Sequence, residues 1–255
     1  MSDAPISYEK RPDGIAIVTL DRPEKLNALT GPLLSGLSDI VDDIEKDPEV
    51  RVFLLRGAPR PDGRPCFSAG VDVSAFADGE GVTEELGFDL TNKIDDLLKP
   101  SIAVIDGVCT TGGGEIALAC DFRLVGRQAQ ISDFHLKRLG TGLGAWGASV
   151  RWARECGVTN AKQMLLTGRV IDGDEAFRIG FASAVFDSDA LEAGALEMAT
   201  QIAGMSPDGV KLVLAHLDRI GDMSRDQALR WAKLSADWLD VKVGESELRG
   251  KVLGD

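Results

Sequence analysis

Short runs of β-branched and apolar residues alternate along this chain with longer stretches of helical period, and that alternation limits the fold more than any other feature. The runs are Ile15–Leu20, Val52–Arg56, Ile102–Asp106 and Phe122–Val125, with Phe181–Phe186 a weaker fifth. Between them, Gly31–Lys46 sets Leu33, Leu34, Leu37, Ile40, Val41 and Ile44 on one stripe, and Glu84–Leu98 does so with Leu86, Leu90, Ile94 and Leu97. Strands separated by helices predict an α/β fold rather than a sandwich. From Asp189 onward the pattern is helical only, over Ala190–Gly204, Pro207–Ile220 and Ser224–Val243. A chain of 255 residues with 44% hydrophobic content can bury a substantial core. The change of pattern divides it into a core region, 1–195, and a helical region, 196–255.

Charge narrows the partners. Forty-one acidic residues against 28 basic ones give a net charge of −13, which argues against a general nucleic-acid or anionic-membrane surface. No apolar run approaches the length of a membrane span. Cys66, Cys109, Cys120 and Cys156 lack C-x-x-C spacing, and Met1–Arg11 is not signal-like, so they read as reduced thiols of a cytoplasmic protein. His135 and His216 form no multi-histidine pattern with them, and no metal is expected.

The segment Ser101–Glu115 carries the chemistry. It reads as an apolar strand, a side-chain-free turn with Gly112, Gly113 and Gly114, and a helix that opens with Glu115. Glycines allow close approach to the backbone, and the free N–H groups of a helix start bind developing negative charge. Glu115 stands where it can move a proton beside that charge. A second glycine-rich stretch, Gly142-Leu-Gly144-Ala-Trp-Gly147, matches the G-x-G-x-x-G dinucleotide fingerprint. Its context is wrong: the charged His135–Leu139 replaces the required apolar strand, Glu155 follows too soon and Asp172 too late.

Three segments in order and at matching spacing give the chain a resemblance to a known family. They are Asp21-Arg-Pro-Glu-Lys-Leu-Asn-Ala-Leu29, Cys66-Phe-Ser-Ala-Gly-Val-Asp-Val73 and the Gly112–Glu115 turn. Together they resemble the crotonase, or enoyl-CoA hydratase/isomerase, family. Ala129-Gln130, Leu139-Gly140-Thr141 and Leu165–Arg169, with Ala176 and Gly180-Phe181, continue the likeness, which covers about Ile15 to Ala203. The resemblance implies a spiral of ββα units with a C-terminal helical region used in trimerisation, as a homotrimer or dimer of trimers. The last helix carries a stripe of Leu229, Trp231, Leu234, Trp238 and Leu239 that must pack against something.

The resemblance also implies an acyl-CoA substrate, with coenzyme A as part of the substrate and no permanently bound cofactor. The amides of Val71 and Gly112 would hold the thioester oxygen. Glu115 would be the first of two catalytic glutamates. Lys25, Leu26, Ala28, Ala69, Asp72 and Val73 would line the coenzyme A site. Because coenzyme A is polyanionic, an acidic protein needs local cations for it, and Arg22, Lys25, Arg60 and Arg64 are the candidates near the motifs. Hydratases carry a Pro-Glu pair shortly before Leu-Gly; here the stretch reads Ile131–Gly140 without it. Counting forward from Gln130 puts His135 in the second catalytic slot, and counting back from Gly140 puts Leu136 there. His135 titrates near neutrality and can serve as acid or base, with Asp133 as a partner. Trp146 fills a position where hydratases carry glycine, either narrowing the acyl pocket or filling core. Hydration or isomerisation of an enoyl-CoA leads. A CoA-dependent hydrolase of a thioester or C–C bond, using Glu115 and His135, and a catalytically weak acyl-CoA binder stay open.

Overall fold

The computed structural model describes residues 5–140 and 142–238. Its first compact unit ends at Met205 and a second begins at Ser206. In chain order the first unit contains β1 (Ile6–Lys10), β2 (Ile15–Leu20), α1 (Gly31–Lys46), β3 (Val52–Gly57), β4 (Cys66–Ser68), α2 (Glu84–Asp95), β5 (Ser101–Ile105), β6 (Val108–Thr110) and α3 (Gly112–Ala119). There follow β7 (Phe122–Gly126), β8 (Gln130–Ser132), α4 (His135–Leu139), α5 (Ala148–Thr167), β9 (Val170–Ile171), α6 (Gly173–Arg178), β10 (Ala184–Phe186) and α7 (Ser188–Ala203). The second unit contributes α8 (Pro207–Ile220) and α9 (Arg225–Trp238).

Two sheets grow side by side. The larger has the order β1-β2-β3-β5-β7-β10, parallel except for β1 against β2. The smaller has the order β4-β6-β8-β9, and only β9 is antiparallel. Each turn lays one strand in the large sheet, one in the small sheet, and then a helix: β3-β4-α2, β5-β6-α3, β7-β8-α4. That is the ββα spiral implied by the sequence resemblance.

The strands of the large sheet are apolar on both faces because both faces are covered. On β3, Phe53 and Leu55 join the core under α1, α2 and α3, while Val52 and Leu54 join a second core with Leu191, Ala195 and Ala199 of α7. α1 forms where expected: Thr30 caps it, accepting from the Leu33 amide, and Pro32 sits in the first turn. Its Leu33, Leu34, Leu37, Val41 and Ile44 are buried, each worth about 1.5–3 kcal/mol of transfer free energy.

Several expectations shift. The turn before Gly112 is not continuous: Asp106-Gly107 makes the turn, then β6 intervenes. The helix begun at Glu84 ends at Asp95 and the strand expected from Phe181 is reduced to Ala184–Phe186. The long α5 has no counterpart in the sequence reading, because Gly157 at φ +76° breaks it into two pieces whose polar residues dilute the period. The pieces β4, β6, β8 and β9 are two or three residues each, too short for periodicity to show. The unit boundary falls after α7 rather than inside it at 195/196, since α7 lies on the large sheet. In the second unit Trp231 stacks on His216, with ring centroids 4.7 Å apart. Leu239–Val243 of the expected last helix and Thr141 lie outside the described residues, as does the Trp238 side chain.

Candidate active site

Two residues in the left-handed region begin the site. Leu26 and Asn27 have φ of +55° and +50°, a conformation Asn tolerates because its amide bonds locally. Asn27 is fully buried. Its Nδ2 donates to the carbonyls of Ala58 and Cys66, both at 2.9 Å, and its Oδ1 accepts from the Arg22 amide at 3.0 Å. Further bonds lace the first motif to the second: Ser68 Oγ donates to the Asn27 carbonyl, Ala69 N to Leu26, Leu29 N to Gly70 and Asp72 N to Leu29. The amides around Val71 are thus consumed, and that of Val71 has no protein acceptor among the described residues.

The third motif arrives through close backbone contact. Gly70 has φ +85°, and a Cβ there would stand 2.9 Å from the Thr110 carbonyl and 3.3 Å from the Gly112 amide nitrogen. Thr111 takes φ +54° and ψ −117°, a conformation that costs a β-branched residue about 1–3 kcal/mol. It is held there by its amide on the Ser132 carbonyl at 3.1 Å and by its hydroxyl, which lies 3.0 Å from that of Thr110 and accepts from the Phe134 amide. Gly112 opens α3, so its amide has no partner within the helix, nor any other among the described residues. Two open N–H groups therefore sit side by side at the start of a buried helix.

One helical turn further on, Glu115 is 2% exposed. Its Oε1 accepts from the amides of Trp146 at 3.0 Å and Ala148 at 3.2 Å. Its Oε2 lies 3.3 Å from His135 Nε2, and His135 Nδ1 lies 3.0 and 3.1 Å from the two oxygens of Asp133. Burial alone pulls the imidazole pKa down and is the largest single effect, but Asp133 and Glu115 together outweigh it and raise the pKa to about 10. His135 is consequently an imidazolium at neutral pH, clasped between two carboxyl groups.

The profile of the family described as Enoyl-CoA hydratase/isomerase matches residues 10–236. The chain belongs to that family. Short-chain-enoyl-CoA hydratase of Clostridium acetobutylicum is 33% identical over 220 residues, 84% of this chain and 82% of that protein. Carnitinyl-CoA dehydratase of Citrobacter koseri is 31% identical over 223 residues, 86% and 82% respectively. Among solved structures, enoyl-CoA hydratase from Bacillus anthracis aligns with a TM-score of 0.85 at 27% identity, covering 96% of this chain and 94% of that one.

The stretch in which the family resemblance leads one to expect a Pro-Glu pair reads Phe134-His135-Leu136 here. Of the two positions left open by counting, His135 meets Glu115, whereas Leu136 turns outward and is 36% exposed. The fingerprint-like glycines also acquire a use that sequence reading missed. Gly144 has φ +70°, and a Cβ on it would stand 2.7 Å from Glu115 Oε1 and 2.5 Å from the Ala148 Cβ. The segment is a carboxyl cradle: its glycines let the chain wrap Glu115 and bring the α5 N-terminus to it. The cradle is fixed from behind, since the Trp146 carbonyl accepts from Thr91 Oγ1 at 2.9 Å and Arg151 Nη1 at 2.6 Å, and Arg151 also pairs with Asp95 at 3.0 Å. Glycines immediately before an unrecognised helix were the available signal.

The expected coenzyme A contacts divide. Leu26, Ala28 and Ala69 are half-buried beside the Val71 turn, while Val73 is 68% exposed. Asp72 is occupied structurally: Oδ1 caps the short turn Val73–Phe76 through the Ser74 amide, and Oδ2 pairs with Arg22 at 3.0 Å. Those contacts hold its carboxyl below the usual carboxylate range, the Ser74 hydroxyl first among them. Arg22 is spent there and on the Ala28 carbonyl. Arg60 and Arg64 both pair with Asp62 on an exposed loop. Lys25 is exposed and has no ion pair among the described residues, which leaves it the available cation. A cavity of about 530 Å³ opens elsewhere, between the large sheet and α7. Asp21, Asp106 and Glu192 line it, and its one cation among the described residues, Arg56, is paired with Glu192, so it does not suit a polyanion. All four cysteines are buried and free, and burial pushes the Cys66 thiol up to about 11. Among the described residues no helix is long and apolar enough to cross a membrane and no side-chain group could hold a metal ion.

Proposed function

We propose that this family member adds water across the double bond of an enoyl-CoA thioester, with Val71 and Gly112 amides as oxyanion hole and Glu115 and His135 as proton-transfer groups. The observation that carries the reading is a pair of amides with no acceptor among the described residues, one helical turn from a buried Glu–imidazolium pair. The thioester oxygen accepts from the two amides, each donor being worth about 3 kcal/mol as charge develops. A water held by Glu115 gives its proton to Oε2 while its oxygen bonds to the β-carbon, and the electron pair moves onto the thioester oxygen as an enolate. The Nε2 proton of His135 then passes to the α-carbon and restores the carbonyl. Proton transfer from Glu115 to His135, already 3.3 Å apart, resets the pair. Each positioned acid or base contributes roughly 10²–10⁴-fold. Because Glu115 and His135 touch, the water bridges them from one side rather than between them.

Lys25 would meet a coenzyme A phosphate at the open rim. The helices beyond 195 would serve assembly into a trimer or dimer of trimers, for which Val213, Leu217, Leu229 and Leu234, each more than half exposed, offer apolar surface.

The test is turnover with crotonyl-CoA and a longer enoyl-CoA, following the conjugated thioester absorbance and free thiol together. Hydration removes the absorbance without releasing thiol. Thiol release would replace this reading with thioester hydrolysis, and affinity for acyl-CoA without either signal would replace it with a non-catalytic binder.

A further inference from the structure

Trp146 is committed to the site through its whole structure. Its N–H donates to Glu115, its carbonyl accepts from Thr91 and Arg151, and its indole is only 4% exposed. The ring reaches from α3 to α2. A Cβ built on Gly112 would stand 2.8 Å from indole Cζ3, and one built on Gly87 would fall inside the ring near Cε2 and Nε1. Gly87 lies within α2 and its φ is not positive, so no backbone conformation requires glycine there, and in a helix interior only proline is worse. The glycine makes room for the indole.

The path of an acyl group follows from the two ends of the site. A thioester oxygen on the Val71 and Gly112 amides brings the α- and β-carbons beside Glu115, which stands about 4.5 Å further along α3. Carbons beyond the β-position run on past that turn. The surface they meet is an indole lying against Gly112, 4% exposed and packed between α3 and Gly87 of α2, so it has little room to swing aside as a flexible lid does.

Resting on the acyl-CoA reading above, we infer that Trp146 is the specificity-determining wall of the acyl site and, with Gly87 as its seat, confines the enzyme to short acyl groups. Longer unbranched chains are excluded by the ring rather than by the reacting groups.

Trp146→Ala tests this with kcat/KM for crotonyl-, hexenoyl- and octenoyl-CoA. In the native protein the constant falls with each added pair of carbons; in the variant the octenoyl-to-crotonyl ratio rises about tenfold or more, the usual scale for a hydrophobic pocket that gains or loses methylenes. The same ratio in both proteins overturns the inference. Calorimetric affinities for butyryl- and octanoyl-CoA against free coenzyme A give a second readout that needs no turnover: octanoyl-CoA gains over butyryl-CoA only in the variant. Native protein that turns over nothing but shows this affinity pattern sinks the hydration reading and keeps the wall. Turnover with an unchanged chain-length profile does the reverse. Should Trp146→Ala not fold, Gly87→Ala serves: its added methyl pushes the indole toward Gly112 and lowers crotonyl-CoA turnover, and adding Trp146→Phe restores it. A double variant that restores nothing overturns the seat.

Discussion

Two glycine-rich turns in this protein lead into helices, and they do opposite things with the same resource. At Gly112 the first N–H of α3 is left without an acceptor among the described residues. At Gly144–Ala148 the turn and the first residue of α5 spend two amides inward, those of Trp146 and Ala148, on the carboxyl group of Glu115. One turn leaves its donor open and the other uses its donors to fix a carboxyl group. Both have glycines before a helix start, so composition cannot distinguish them; what distinguishes them is whether a buried carboxyl group already stands in front.

The largest effect should come from the carboxyl group that links the turns. Glu115→Gln keeps one acceptor for the cradle but removes the base, and kcat should fall at least about a hundredfold with coenzyme A affinity nearly unchanged. Steady-state kinetics and calorimetry on the same preparation check it, and equal activity would take Glu115 out of the mechanism.

A matched pair of alanines sharpens the contrast. Gly112→Ala adds a methyl where φ is ordinary, facing Trp146 and the proposed thioester site, so catalysis should suffer by about tenfold or more, while overpacking against the indole should cost only about 1–2 kcal/mol in urea unfolding. Gly144→Ala places a methyl at φ +70° against Glu115 and Ala148. It should cost about 2–4 kcal/mol of stability, from the left-handed conformation and the overlap together, as well as activity. If the two variants lose stability equally, the open and closed turns are not different in kind.

The smallest effect is a pH dependence. The pKa of His135 is raised in the folded state, from about 6.5 to about 10. The stabilisation from its imidazolium is therefore complete below about pH 6.5 and is lost as the pH rises through about 10. Tm should decline on that alkaline limb, and kcat with it as the proton donor disappears. In His135→Gln the alkaline decline in both should flatten; an identical decline would assign it to another group.

Much of this was legible in the sequence where one physical rule acts alone. α1 runs from Gly31 to Lys46 as its apolar stripe says, because a long amphipathic helix has a single way to bury its face. The Glu115 turn was legible because glycines, an apolar strand and a carboxyl coincide within a few residues. The cradle was not. Its meaning depends on Glu115, 29 positions before Gly144 in a different ββα unit, and on α5, whose period Gly157 interrupts. Asn27 sat inside a motif without a role, since its three bonds reach residues at 22, 58 and 66 that only the folded chain brings together. The charges near the motifs misled for a related reason. Arg22 and Asp72 are 50 positions apart and satisfy each other.

The anchoring of Trp146 has an evolutionary consequence. The cradle holds Glu115 through the main chain of residue 146, and Thr91 and Arg151 hold that main chain by its carbonyl. None of these bonds involves the indole. On the proposed reading, the side chain can be exchanged with Glu115 left in place, so substrate range and reaction chemistry would be separately mutable although they share one residue. On that reading, a lineage carrying this arrangement would explore new acyl groups at position 146, with compensating changes at Gly87, while the groups that move protons stay fixed.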